Sequence, residues 1–196
     1  MRPVTETKSA LRNQTLKLRN GLGEAERIEM SLQAAELGAQ SPEFDTQAMP
    51  PGTIVSGFLP IRSEIDARPL MAELARRGAR LCLPVVISKT EIEFREMVRG
   101  AALVESGFGT VGPDQSAEVL EPQILIMPLS VFDPHGGRIG YGGGFYDRAI
   151  EKLRAKNGSV RLIGMGFSLQ QVEQVPMEDH DSFLDGIITE AGYQHF

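Results

Sequence analysis

The 196-residue chain has one cysteine and no tryptophan, and only 6% of its residues are aromatic. A single thiol cannot form an intramolecular disulfide. Cys82 sits in the apolar run RLCLPVV, where a buried strand thiol is expected rather than a reactive one. No apolar run approaches the ~20 residues that cross a bilayer as a helix. The opening MRPVTETKSALR also lacks the apolar core of a signal sequence, so a cytoplasmic protein with no membrane partner is expected. Excess positive charge is absent too: the net charge of -6 argues against general nucleic-acid binding. His135, His180 and His195 show no metal-ligand spacing and no nearby cysteine pair, which excludes a zinc site of the usual kind. There is no internal repeat, low-complexity block or domain boundary. What remains is a chain with 41% hydrophobic residues, enough for one packed domain spanning residues 1–196. With no long exposed apolar helix to suggest an interface, a monomer is expected.

Helical patterning fills the first forty residues in two stretches separated by Gly21 and Gly23, with Leu11, Leu18 and Leu22 spaced as one helical face. After the polar connector SPEFDTQAMPPG, the run TIVSGFL (53–59) reads as a strand. ARPLMAELARRG reads as a helix. Pro69 belongs in its first turn, where a missing N–H costs nothing, so Asp66 is expected as the N-cap and Glu64 falls in the preceding loop. ARLCLPVV and EIEFREM follow as strands, then the loop ESGFGTVGPD, a candidate lid. QILIMPLSVF (123–132) reads as one long central strand. YDRAIEKLRAKNG is a helix with Tyr146, Ile150 and Leu153 on one face and Gly158 as its stop. VRLIGMGF and DGIITE close the set as strands. Strands alternating with helices predict an α/β fold, a single layered sheet with helices on both faces.

Between the central strand and the last helix lies FDPHGGRIGYGGGFYDRAI, with six glycines in nineteen residues. It leaves the C-terminal end of a buried strand, where open α/β sheets bind ligands, and enters a helix N-terminus, whose free N–H groups favour phosphate. Arg138 supplies a fixed cation. Neither standard phosphate motif reads through, however. A G-x-G-x-x-G started at Gly140 or Gly142 ends on Phe145 or Asp147, and no Lys-Ser/Thr follows the glycines. The residues alone fit a phosphate cradle and a tight strand-to-helix turn about equally.

The segment FDPHGGRIGYGGGFYDR nevertheless resembles the signature of the 5-formyltetrahydrofolate cyclo-ligase family, also called 5,10-methenyltetrahydrofolate synthetases. KSALR near the start, FLPIRSEID and HDSFLDGIITE resemble further family blocks in order and spacing, so the likeness covers essentially the whole chain. Ile139 stands where Leu is common, and Phe145 where the first of two tyrosines is common. The resemblance implies a Rossmann-like fold of the NagB/RpiA/CoA-transferase type. It also implies cyclisation of 5-formyltetrahydrofolate to 5,10-methenyltetrahydrofolate, with ATP as co-substrate and Mg2+ as cofactor.

The same resemblance implies the site. Gly140, Gly142, Gly143 and Gly144 would lay backbone N–H groups on the ATP phosphates, with Arg138 as counter-cation. Ile139, Tyr141, Phe145 and Tyr146 would complete the nucleotide wall, and Lys8 and Arg12 would add phosphate ligands from one helix face. Glu64 would sit beside the reacting formyl group and N10, with Leu59, Tyr141 and Phe145 against the folate. Asp147 and Asp181 would be the magnesium carboxylates, and Glu64 and Arg138 the catalytic pair. A related ATP-dependent enzyme acting on another small substrate, or a non-catalytic folate or nucleotide binder, remains as an alternative.

Overall fold

The computed structural model describes residues 4–107 and 109–196. In chain order its elements are α1 (Val4–Asn20), α2 (Glu24–Ala39), β1 (Ile54–Ser56), α3 (Arg68–Arg76), β2 (Arg80–Val86), β3 (Ile92–Glu96), β4 (Leu103–Gly107), β5 (Thr110–Pro113), β6 (Val119–Leu120), β7 (Ile124–Pro128), β8 (Val131–Phe132), β9 (Arg138–Ile139), α4 (Phe145–Asn157), β10 (Arg161–Met165), β11 (Gly186–Thr189) and β12 (Gly192–His195).

Eight strands form one sheet in the order β12-β11-β10-β7-β1-β2-β3-β6. β11, β10, β7, β1 and β2 run parallel, flanked by antiparallel β12 on one side and β3 on the other. Parallel neighbours need crossovers; α3 provides one between β1 and β2, and α4 another between β7 and β10. Side chains of β7 alternate between the two layers. Ile124 and Ile126 join the core beneath α2 and α3, while Leu125 and Met127 join the one beneath α4. A strand buried on both faces needs a continuous apolar sequence, which explains ILIM. Small residues on α2 (Ser31, Ala34, Ala35, Gly38, Ala39) let that helix lie close to the sheet.

Several boundaries differ from the sequence reading. The apolar run 123–132 is two strands, not one: β7 ends at Pro128, and Val131–Phe132 pairs with Arg138–Ile139 in a separate hairpin. The Ser130 N–H donates to the Ile139 carbonyl at 2.7 Å, so the chain has already left the main sheet there. The strand in 53–59 covers only Ile54–Ser56. ESGFGTVGPD is no loop; it lies largely in the β4–β5 hairpin, although Phe108 falls outside the described residues. The short edge strands β6 and β12 carry too little apolar alternation to be read from sequence. Helix α3 begins one residue later than expected, with Ala67 at the N-cap position. Asp66 is therefore not the N-cap; it sits one residue earlier, where its Oδ1 accepts the Arg68 N–H at 2.9 Å, and Glu64 remains outside the helix.

Helix α1 departs most. Leu11 and Leu22 pack against the core as expected, but Leu18 is 54% exposed, and the fully buried positions are Thr15 and Arg19. The reason is where α1 docks: over the loops at the strand ends, with Thr15 Oγ1 donating to the Ser130 carbonyl at 2.9 Å, rather than on an apolar sheet face.

Candidate active site

The strand order reverses between β1 and β7. From β1 the chain moves outward to β2, and from β7 it moves the other way to β10 and β11. Loops leaving the C-terminal ends of two strands at such a point diverge and open a crevice. One of them carries residues 57–66 and the other carries residues 129–144. Between them opens a cleft of about 1400 Å³, lined also by α1 and by residues 178–182. Pockets for one drug-sized ligand usually occupy roughly 300–1000 Å³, so this cleft is larger than one such ligand needs.

The glycine loop is shaped at its start by Asp133. Its carboxylate is buried and accepts the N–H groups of His135 (2.8 Å), Gly137 (2.9 Å) and Val175 (2.7 Å). At the far end Gly144 is the N-cap of α4 with φ 63 and makes no side-chain cap. The first-turn N–H groups of α4 therefore have no side-chain acceptor from the cap position, and the positive end of the helix dipole opens beside the cleft. Gly142 also has a positive φ of 96, and a Cβ there would press on the Arg12 guanidinium. Arg12 Nε donates to the Gly140 carbonyl at 2.7 Å. Arg148 holds the other side, donating to the carbonyls of Gly143 and Thr90 and lying over the Phe145 ring.

Charges alternate along the cleft. Arg138 Nη2 donates to Asp147 Oδ1 at 2.5 Å, with side chains 8% and 20% exposed. Asp147 Oδ1 also accepts the Ser182 N–H at 3.3 Å. Lys8 pairs with Glu178 at 2.8 Å and Asp181 at 2.5 Å. Burial works against its charge, but the two acids prevail and raise its pKa. Asp181 moves the opposite way: burial would raise it, yet Lys8 and the Glu178 N–H hold it below the usual range.

Glu64 stands at the other end. It is 7% exposed; Oε2 accepts the Ile61 N–H at 2.9 Å, and Oε1 has no partner among the described residues. Burial raises its pKa above the ordinary carboxylate value, while the Ile61 N–H, Arg19, Tyr141 and Arg62 pull it back in part. Arg138 Nε and the Tyr146 hydroxyl in the same cleft are likewise buried and unpartnered. Buried polar atoms are rarely left so, because each forfeits its water. Three lining one cleft mark a surface shaped for a polar ligand.

A protein-family profile for the 5-formyltetrahydrofolate cyclo-ligase family matches residues 4–190. The chain belongs to this family. Cyclo-ligase activity goes with that membership. The Escherichia coli K12 5-formyltetrahydrofolate cyclo-ligase is 32% identical over 141 residues, covering 69% of this chain and 76% of the relative. The Haemophilus influenzae enzyme is 31% identical over 131 residues, covering 64% and 69%. Among solved structures, the Aquifex aeolicus 5,10-methenyltetrahydrofolate synthetase superposes with a TM-score of 0.78 at 27% identity, covering 96% of this chain and 92% of that one. A Mycoplasma pneumoniae synthetase shares the fold, with a TM-score of 0.70 at 24% identity.

Against the cyclo-ligase expectation, the structure brings Lys8, Arg12, Leu59, Glu64, residues 138–147 and Asp181 to the lining of one cleft. Two of them contribute less side chain than expected. Ile139 packs into a small core with Val131 and Val175, and the Tyr146 ring leans on the core beneath α4. His180, set aside as a metal ligand from its spacing, lies beside Glu178 and Asp181, its Nε2 3.8 Å from Asp181 Oδ1. Arg62, Arg148 and Arg19 were missed. Arg19 left a signal: with Lys8, Arg12 and Thr15 it continues one helical stripe at spacings of four, three and four.

Proposed function

We propose that the cleft binds ATP along the glycine loop and 5-formyltetrahydrofolate against Glu64, and joins them in an ATP-dependent cyclisation. The observation that carries this reading is the pairing of two unlike ends in one cleft: an open helix N-terminus suited to phosphate, and a buried carboxylate with an unpartnered oxygen. A formyl amide is a poor electrophile because nitrogen donates into the carbonyl. Transfer of the γ-phosphoryl group to the formyl oxygen forms a P–O bond, releases ADP and makes the formyl carbon electrophilic. N10 attacks that carbon and loses its proton; the C–O bond to phosphate then breaks, leaving the methenyl bridge.

The chain's task is alignment and charge stabilisation. The N–H groups around Gly140–Gly144 and the start of α4 hold the phosphates, and Arg138, Arg12 and Lys8 offset their charge. Glu64 takes up the N10 proton, for which a carboxyl with a raised pKa is better suited than an ordinary one. Leu59, Tyr141 and Phe145 give the folate an apolar and aromatic wall. Magnesium prefers oxygen ligands and one or two carboxylates, which the residues present satisfy. Both contacts of Asp147 among the described residues use Oδ1, leaving Oδ2 for a cation, and Asp181 lines the same cleft, its Oδ2 held by Lys8 and the Glu178 N–H. Bound there, the ion would offset phosphate charge. The chain would act as one Rossmann-like domain and as a monomer.

Incubation with 5-formyltetrahydrofolate, ATP and magnesium should produce the methenyl chromophore. No product with ATP left intact would refute the reading. Asp147→Asn should raise the magnesium concentration needed for half-maximal rate by about tenfold or more, seen in a magnesium titration at fixed ATP. Gly144→Ala places a Cβ at a left-handed φ and 2.7 Å from Arg148 Nη1. It should cost about 1–2 kcal/mol, lowering Tm and raising the KM for ATP more than that for the folate.

A further inference from the structure

We infer that Arg19 is a positioning residue for this reaction, acting through Tyr141 and Ser63 to direct the Tyr141 hydroxyl proton toward the Glu64 end of the cleft. The inference builds on the reaction proposed above. Arg19 is 1% exposed, and among the described residues it forms no ion pair; its contacts are all neutral. Buried charges normally sit opposite a counter-charge, because desolvation is otherwise uncompensated. A guanidinium kept in the interior with no direct ion pair, its nearest acid Glu64 acting only at a distance, is poor material for stability alone.

Its bonds join the parts that build the site. Nε donates to Ser63 Oγ at 3.1 Å, Nη1 to the Leu129 carbonyl at 3.4 Å and Nη2 to the Tyr141 hydroxyl at 2.6 Å. Ser63 passes its own proton to Asn20 Oδ1 at 2.5 Å, so its polarity is set as well. One side chain on α1 thus ties the end of β7, the carboxylate loop and the glycine loop. A guanidinium has only donors. The Tyr141 oxygen must therefore accept, and its hydroxyl hydrogen must point away from Arg19. The guanidinium charge also polarises that O–H and makes it a better donor. Arg19 and Tyr141 both lie close enough to Glu64 to favour its ionised form. The Arg62 guanidinium lies 5.8 Å from the Tyr141 ring centre, which steadies the ring over the cleft.

Tyr141 can be observed without turnover. The chain has three tyrosines, so 13Cζ-tyrosine NMR with Tyr141→Phe as the assignment control isolates its resonance. That resonance should inflect as Glu64 titrates, and Glu64→Gln should remove the inflection. Arg19→Met should move the inflection to higher pH, because a cation that favours the carboxylate is gone; Arg19→Lys should hold it near wild type. In turnover, Arg19→Met should lower kcat by about tenfold or more with a smaller change in KM for ATP, and should cost much less in a Tyr141→Phe background. An unmoved inflection in Arg19→Met overturns the inference, and so do fully independent kcat losses in the double variant. If Arg19→Met does not fold, the half-exposed Tyr141 still decides: an acid limb of kcat that stays put in Tyr141→Phe overturns it. Loss of the proposed reaction itself appears differently, as a wild-type protein with no product whose Tyr141 titration is intact.

Discussion

Glu64→Gln should lower kcat by about 10²–10⁴-fold and, at neutral pH, raise the melting temperature. Both effects follow from the same burial. Gln keeps the size of the side chain and can still accept the Ile61 N–H, but it cannot take a proton. The stability change follows from linkage. Burial raises the folded-state pKa of Glu64 above its ordinary 4.5. The stability it contributes is then fully present below that ordinary value and is lost as pH rises through the higher folded-state value. Above both, the folded protein carries a buried carboxylate that the unfolded chain would hydrate. Wild type and Glu64→Gln should therefore differ little in acid and diverge as pH rises. Each kcal/mol of the gap appears as about 2–4 °C in Tm for a chain of this size. Thermal melts of both proteins from pH 4 to 8 read it directly. The wild-type rate should fall on acidification through an inflection lying above the ordinary carboxylate range. A Glu64→Gln protein that turns over normally would remove Glu64 from the chemistry whatever its stability.

Burial of Glu64 is also where sequence reasoning stopped short. Pro69 was enough to place the residue in a loop, because a proline position limits where a helix can begin. Nothing local says that this loop lies beneath Tyr141 and beside Arg19. Those contacts join residues more than forty positions apart, and they follow from the reversal of strand order between β1 and β7. The parallel core was legible because strands buried on both faces need unbroken apolar runs, as in ILIM and LIGM. β12 was not, because an edge strand such as GYQH needs apolar residues on one face at most. The stripe of α1 was partly misread for a related reason. Apolar periodicity finds a helix that docks on a sheet face, whereas α1 docks on loops through Lys8, Arg12, Thr15 and Arg19. A search for any residue types at helical spacing, rather than for leucines, would have found it. The glycine loop was conspicuous from the outset, yet what separates it from a plain turn is the uncapped start of α4 and the charges gathered around it.

Arg138→Met tests that charge arrangement most severely. The guanidinium is almost wholly buried and its carboxylate partner is a fifth exposed. Removing the cation leaves Asp147 with the Ser182 N–H and whatever water reaches it. Breaking a fully buried pair costs about 3–5 kcal/mol; the partial exposure of Asp147 brings the expectation down to about 1–3 kcal/mol. The catalytic loss should be larger, about 10²–10³-fold in kcat/KM for ATP, because a fixed cation aimed at transferring phosphate acts most strongly on the transition state. The double variant Arg138→Met/Asp147→Asn separates the two effects. Replacing both partners leaves no unpaired charge, so much of the stability should return, as read by denaturant melts. Activity should not return, since neither the phosphate cation nor the magnesium carboxylate is restored. Recovery of activity along with stability would mean that Arg138 serves only to hold Asp147, and that the phosphates are bound by the loop N–H groups, Arg12 and Lys8 alone.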